Sequence, residues 1–438
     1  VRAAAEFAKA AQMDSSDIDA TLALALVNLE QLGAPKEAEL ALGQLLARAE
    51  DVSLGSQQRA DAAAAAAKYY WAAGKYKEAE TMLQGAAAIA PAQSRFQVSL
   101  GDFYKGRGRD AENISLAEKA YLKAVDIEPK RAANYLSLGI FYKQTGRNDK
   151  AIEAFAKAVE FTPAALTYQY LVESMIDKED LAGASLEIAE MRKVKNTSTM
   201  ADYLEGRVLA VESGGKGEKS RRAEELFVKV ARQNPDFASV HYQLGLVLAG
   251  RGMYDDAAVE FQKTLEISSD FSAAAVALAE TYMRSFRYDK AIAEAKNVLA
   301  RDGRDYYANL TVGRALAAQG SFNSARSFLD QARTVRPASV DPYVALADVA
   351  VREGRFETAT AILADAAKNT DDQTMALIAM SKVYYAQGVT DKALEIASQA
   401  TLTQTEDTKA AAYYASLLWQ MGRAQDAVDF LKRRADEN

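Results

Sequence analysis

In the stretch "AANYLSLGIFYKQTGRNDKAIEAFAKAVEFTP", residues 132 to 163, Tyr135, Leu138, Gly139 and Tyr142 share one helical face. Past Gly146 a second face is marked by Ala151, Phe155 and Ala158, and Pro163 stops it. The pattern predicts two amphipathic helices that meet at Gly146. It also repeats. Steps of 34 residues from Gly245 land on Ala279, Gly313, Ala347, Ser381 and Ala415, a small residue each time, as close approach of two helices requires. A turn glycine recurs at Gly74, Gly108, Gly146, Gly252, Gly320, Gly354, Gly388 and Gly422, which suits a left-handed helix terminus. The second helix has its own small residue, at Ala79, Ala117, Ala151, Ala184, Ala223, Ala257, Ala291, Ala325, Ala359, Ala393 and Ala427. These periods predict about twelve helical hairpins in series.

The hairpin at 132–163 resembles the tetratricopeptide repeat, a helical hairpin of about 34 residues, and its signature positions are filled here. The resemblance extends over essentially the whole chain and is weakest over residues 19–50. It implies an all-α, right-handed superhelical solenoid whose concave groove, lined by first helices, receives peptides. Residues 1–14 read as the second helix of a truncated repeat, so the sequence is expected to begin inside a longer protein. Residues 19–129 read as N-terminal repeats, 132–269 as central repeats with an inserted turn at 212–220, and 272–438 as C-terminal repeats.

That inserted turn, "ESGGKGEKS" from Glu212 to Ser220, is the one stretch with the look of a phosphate loop. Such a loop needs glycine directly before its Lys-Ser pair and a strand before the loop. Glu218 holds the glycine position, and a helix precedes, so a solvated loop is expected. A second insertion, of four residues around "RDAENISL", is expected to lengthen the turn between Gly108 and Ala117. Projecting loops of this kind are places for contacts particular to one protein.

Composition narrows the chemistry. The 438 residues are 49% hydrophobic and 26% charged, with seven prolines and a net charge of -7. No global basic field exists to hold nucleic acid, and no apolar run is long enough for a membrane span. The absence of cysteine removes disulfides, thiolate metal sites and cysteine nucleophiles. His241, the only histidine, falls on the position that Tyr135 and Tyr343 fill in other hairpins, so a packed residue is expected rather than a base or ligand. No catalytic residue, metal site or cofactor is expected. The sequons at Asn113, Asn196 and Asn309 matter only in a secreted eukaryotic protein.

The inner face then becomes the informative surface. The residue after each small first-helix position is Lys68, Asp102, Ile140, Glu173, Arg207, Leu246, Glu280, Arg314, Asp348, Lys382 or Ser416, with charges that alternate from Glu280 to Lys382. Two readings stay open: a self-satisfied ladder between neighbouring hairpins, which is favoured, or a groove gripping a segment of mixed charge. The Lys/Asn carboxylate clamp of tetratricopeptide receptors for chaperone tails is absent at these positions. Tyr203, Tyr242, Leu246, Tyr307 and Leu310, with Arg207 and Arg314, form the candidate partner-binding groove, combining rigid anchors with guanidinium forks. Trp71 and Trp419 mark further contacts or cover stacking surfaces.

The expected function is a non-catalytic scaffold for protein or peptide partners, without nucleic acid and without direct membrane insertion. Resemblance to long bacterial arrays suggests an envelope, secretion or exopolysaccharide assembly, with the periplasm or envelope favoured over the cytoplasm. The alternatives are a cytoplasmic regulatory or chaperone-like receptor, or the binding region of an enzyme whose catalytic domain lies outside this sequence.

Overall fold

The computed structural model describes residues 2–13, 17–30, 34–403 and 408–437 of the chain. Among these it has 25 α-helices and no strand. Helix Arg2–Met13 packs on Ile18–Glu30; from there five hairpins run to Met191 and six run from Ala238, with helices Ser198–Ser213 and Gly217–Gln233 between them in the chain. Two compact units divide the chain, Val1–Glu212 and Ser213–Asn438. The changeover falls at the start of the stretch marked as an insertion.

The hairpin turns share one mechanism. At Gly74, Gly146, Gly252, Gly320, Gly354, Gly388 and Gly422 the backbone is left-handed, with φ between 71° and 80°. The residue after each glycine donates its amide to the carbonyl five residues back, as Arg147 does to Tyr142 at 2.9 Å and Met253 to Leu248 at 2.9 Å. This is the glycine C-cap that satisfies an orphan helix carbonyl. Gly108 departs from it: its φ of 163° is extended, and the next helix is capped instead by the Asp110 side chain, which accepts from the Asn113 amide at 2.9 Å.

Neither insertion makes a long loop. Three of the four extra residues after Gly108 are taken up by helix Ala111–Ile127, which has 17 residues where Asn148–Phe161 has 14, and the fourth lies in the turn before it. Between Ser198–Ser213 and Gly217–Gln233 only Gly214, Gly215 and Lys216 are non-helical, so the extra residues again lengthen helices. An insertion close to the 3.6-residue helical repeat keeps the apolar face in register, so helix extension satisfies backbone groups that a loop would leave to water.

Close packing within hairpins follows a size rule. A Cβ on Gly139 would lie 2.4 Å from the Phe155 ring, on Gly245 2.6 Å from Phe261, and on Gly101 2.7 Å from Tyr121. Gly313 instead faces a leucine, Leu329, at 2.6 Å, and three of the alanines face aliphatic residues: Ala67 shares a core with Leu83, Ala347 with Leu363, and Ala279 with Ala295. The alanines of the second helices are sealed, with Ala151, Ala257, Ala325 and Ala359 at 0% exposure.

Successive first helices also touch one another. In the first unit Ser94–Arg107 meets Ala132–Gln144; in the second, Ala238–Gly250 meets Ser272–Arg284, which meets Tyr306–Ala318. Second helices pack on the first helices to either side. The first helices are thus the closer-packed row, and each stack presents them along its inner face.

Candidate functional site: clefts on the inner face

Two clefts open at equivalent places on that face, one in each unit. The first is lined by Ala64, Ala67, Lys68, Trp71, Leu83, Ser99, Asp102 and Phe103. The second is lined by Leu246, Ala249, Gly250, Phe261, Ala277, Glu280, Thr281 and Arg284. Each is floored by the second-helix residue that backs the small residue, Leu83 or Phe261. Each is walled by the residue after that small residue in two consecutive hairpins: Lys68 and Asp102, or Leu246 and Glu280.

In the first cleft Trp71 forms a shelf. Its ring meets Phe103 edge-on at 5.5 Å and Tyr76 at 5.1 Å. Gly106 makes room, since a Cβ there would lie 3.0 Å from the indole. Asp102 accepts on one oxygen, Oδ1, from Lys105 at 2.8 Å and from the Tyr121 hydroxyl at 2.7 Å. Lys68 is exposed and has no charged partner among the described residues. The cleft therefore offers one free cation beside an aromatic shelf.

The second cleft has the opposite character. Glu280 reaches solvent at its mouth, but the surrounding walls strip away much of its hydration. That desolvation pushes its carboxyl above the ordinary range, against the pull of Arg284 and Arg314. No ion pair holds Glu280 among the described residues.

The residues singled out from sequence fall into several environments. Tyr203 and Leu310 are 2% and 5% exposed and belong to the packing between helices, so neither is a surface anchor. Both stand three residues before the small residue, a row that faces the core. Tyr242 is half-buried against Phe271 at 5.0 Å and Phe261 at 5.9 Å. Tyr307 is exposed, but its hydroxyl accepts from Arg336 at 3.1 Å, and the Arg336 guanidinium lies 4.8 Å over its ring. Leu246 does line the second cleft. Lys68, Trp71 and Asp102, grouped by the first cleft, were not joined from sequence; the signal available was a tryptophan one helical turn past an inner-face lysine.

The alternating charges do not form the ladder favoured above. One rung forms between neighbouring row positions, Arg207 with Glu173 at 3.3 Å. Arg314 pairs with Asp341 at 3.0 Å, Asp348 with Arg352 of its own helix at 2.8 Å, and Lys382 lies 5.6 Å over the Tyr413 ring. Packed helix axes stand about 8–10 Å apart, so row neighbours meet only when both side chains are long and neither is already engaged.

His241 is packed, as expected, and takes the place of a tyrosine. Its Nε2 lies 3.0 Å from the Pro235 carbonyl and its Nδ1 2.6 Å from the Glu260 carboxylate. Tyr135 makes the same bond to Pro129 at 2.9 Å, Tyr343 to Pro337 at 3.2 Å, and Asn309 to Gly303 at 3.3 Å. Asn309 is at 0% exposure, so its sequon is closed to modification. Ser220, the serine of the phosphate-loop lookalike, is equally buried within helix Gly217–Gln233. Among the described residues no group of three His, Asp or Glu side chains is placed to hold a metal ion, and no helix is long and apolar enough to cross a membrane.

A stack of two-helix units that bury their apolar faces on one another and keep open clefts along one side defines a repeat-built interaction scaffold. The chain belongs to the tetratricopeptide repeat family: models of that repeat match residues 64–126, 132–164, 215–273, 248–312 and 316–383. Similar solved structures include the human IFIT1 dimer with m7Gppp-AAAA, 16% identical with a TM-score of 0.48 over 89% of this chain and 91% of that one. A monomeric IFIT1 mutant with Gppp-AAAA is also 16% identical, with a TM-score of 0.48 over 88% and 90%. TTC0263, a thermophilic TPR protein of Thermus thermophilus, is 24% identical with a TM-score of 0.37 over 42% of this chain and 99% of that one. No curated protein matches the chain in sequence.

Proposed function

We propose that this scaffold binds partner proteins through extended segments laid along the first-helix face of each unit, with the clefts at Trp71 and Leu246 as side-chain pockets. The observation that carries this reading is the recurrence of a cleft at the same place in two units with different linings. Such pockets take alternate side chains of a bound segment while the regular stack sets their place. Of the residues singled out from sequence, the reading keeps Leu246, with Arg207 and Arg314 as flanking charges. It draws Tyr203 and Leu310 in only as supports beneath the surface.

Protein rather than nucleic acid is the partner in this reading, because the net charge of -7 supplies no field to concentrate phosphates. Filter binding to RNA at low salt tests that choice. The setting we propose is a bacterial envelope, secretion or exopolysaccharide assembly, supported by a cysteine-free, acidic, alanine-rich composition; fractionation of the tagged protein tests it.

The direct experiment is site-specific photocrosslinking in cells. A crosslinking side chain replaces Lys68 or Leu246 on the inner face, or Leu186, which is 71% exposed on a second helix. Adducts from positions 68 and 246 and none from 186 are expected. Adducts from 186 alone would place the partner on the outer face and end this reading.

A further inference from the structure

In a chain with a net charge of -7, the first helices Gln373–Ala386 and Thr408–Gln420 contain the lysines Lys382 and Lys409 and no Asp or Glu. The charges nearby are already answered. Asp348 pairs with Arg352 at 2.8 Å, and Asp341 with Arg314 at 3.0 Å. Asp372 caps its helix by accepting from the Met375 amide at 2.8 Å, and it lies about 15 Å from Lys382 along the helix axis, beyond the roughly 8 Å at which salt screens exposed charges. Lys382 itself is exposed and stands in no ion pair among the described residues. Its ammonium lies 5.6 Å over the Tyr413 ring. That ring is fixed in turn, since its hydroxyl donates to Ser381 at 3.1 Å and Ser381 donates to the Ala393 carbonyl at 2.7 Å. Across from Lys382, at the place that Asp102 and Glu280 hold in the two clefts, the next hairpin has Ser416. A positioned cation is thus left without a carboxylate.

Aromatic side chains stand beside it. Tyr385, one helical turn past Lys382, is 38% exposed, and Trp419, at the same place in the next hairpin, is 65% exposed. Trp71 fills that place in the first unit and is held by Phe103 and Tyr76, whereas Trp419 makes no ring contact among the described residues. An exposed aromatic pair next to an unanswered cation complements an apolar side chain next to a carboxylate. A nucleic acid, with a phosphate at every nucleotide, needs a track of cations that one lysine does not supply. We propose that these two first helices hold an acidic stretch of the partner segment, with a side-chain carboxylate on Lys382 and an apolar side chain against Tyr385 and Trp419. The inference rests on the inner-face reading above and says what one part of the bound segment carries.

The test uses the full chain and two labelled decapeptides read by fluorescence anisotropy, each with a central leucine flanked by aspartates in one and by lysines in the other. Both are blocked at their ends, so that only side-chain carboxylates contribute. The aspartate peptide is expected to bind, and the lysine peptide to bind at least about tenfold more weakly. Lys382→Glu should weaken the aspartate peptide by about tenfold or more, and Lys382→Arg should keep it. Lys392→Glu makes the same change of charge on a second helix and is expected to leave the affinity within about twofold. Trp419→Ala should weaken binding without lowering the melting temperature, which a merely structural indole would not do. No binding of the aspartate peptide below about 1 mM, or equal weakening by Lys382→Glu and Lys392→Glu, overturns the proposal. Displacement of the peptide by an oligouridylate would make the occupant a nucleic acid and overturn it as well. Loss of binding in Lys68→Glu with retention in Lys382→Glu would overturn it while leaving the inner-face reading intact; retention in both, with crosslinks from position 186 alone, would end both.

Discussion

The cleft beside Trp71 and the cleft beside Leu246 occupy the same place in two hairpin pairs, yet their walls carry bulk on opposite sides. In the first, an indole leans from one helix and the facing helix gives way at Gly106. In the second, the corresponding residues are Ala249 and Arg284, so the near wall is low and the far wall carries a long cation. One cleft holds a free lysine beside an aromatic shelf, and the other a poorly hydrated carboxylate beside a leucine. The floor is common to both because it belongs to the hairpin core, where a small residue must meet a larger one. The walls differ because they stand outside that core. The repeat therefore fixes where a contact is made and leaves its chemistry open.

The common floor can be broken most strongly at the hairpin core. Ala325→Leu forces a larger side chain into a sealed junction and should cost about 1–3 kcal/mol, read as a fall in melting temperature. Unchanged melting would show that the register shared by all hairpins is wrong. Gly245→Ala is subtler. Overpacking against the buried Phe261 ring, by about 1–3 kcal/mol, exceeds the roughly 1 kcal/mol that alanine gains over glycine in a helix. A net loss is expected, and Phe261→Leu in the same chain should restore much of it by reproducing the Ala67 and Leu83 pairing of the other cleft.

The walls call for smaller perturbations. Trp71→Ala removes two edge-to-face ring contacts and should cost about 1 kcal/mol in thermal or denaturant unfolding. Glu280→Gln sharpens the electrostatic contrast. Because the folded state raises this carboxyl above its unfolded value, its contribution to stability is fully present below the unfolded pKa and is lost as pH rises through the folded one. The glutamine variant should therefore melt slightly above the wild type at pH 7 and level with it near pH 4. A wild type that gains on the variant as pH rises would mean that Glu280 has a cationic partner in the folded chain.

Much of the fold was legible because hairpin packing is local and repeats at a fixed spacing. Ala151 or Gly245 can be assigned to a close contact from the period alone. The insertions were less legible, since a count of extra residues does not tell a loop from an added helical turn. "ESGGKGEKS" reads as a loop by composition, yet Gly217 onward is helix and Ser220 is buried. The site was harder still. Tyr203, Tyr242 and Leu310 occupy one helical row with Leu246 only four residues beyond Tyr242, a single turn, and which row faces solvent depends on how the next hairpin docks. Phe286 was visible as a gap in the series of turn glycines, but that its backbone is still left-handed, at φ 60°, was not.

The most direct test of the inner-face account exchanges the two walls. Partners captured by the wild-type chain from its own cell lysate would be compared with those captured by Trp71→Ala and by Ala249→Trp with Arg284→Gly, each first shown to be folded by circular dichroism. The account predicts that emptying the first cleft and filling the second each lowers capture of the same partners. Full retention of every partner by both variants would contradict it.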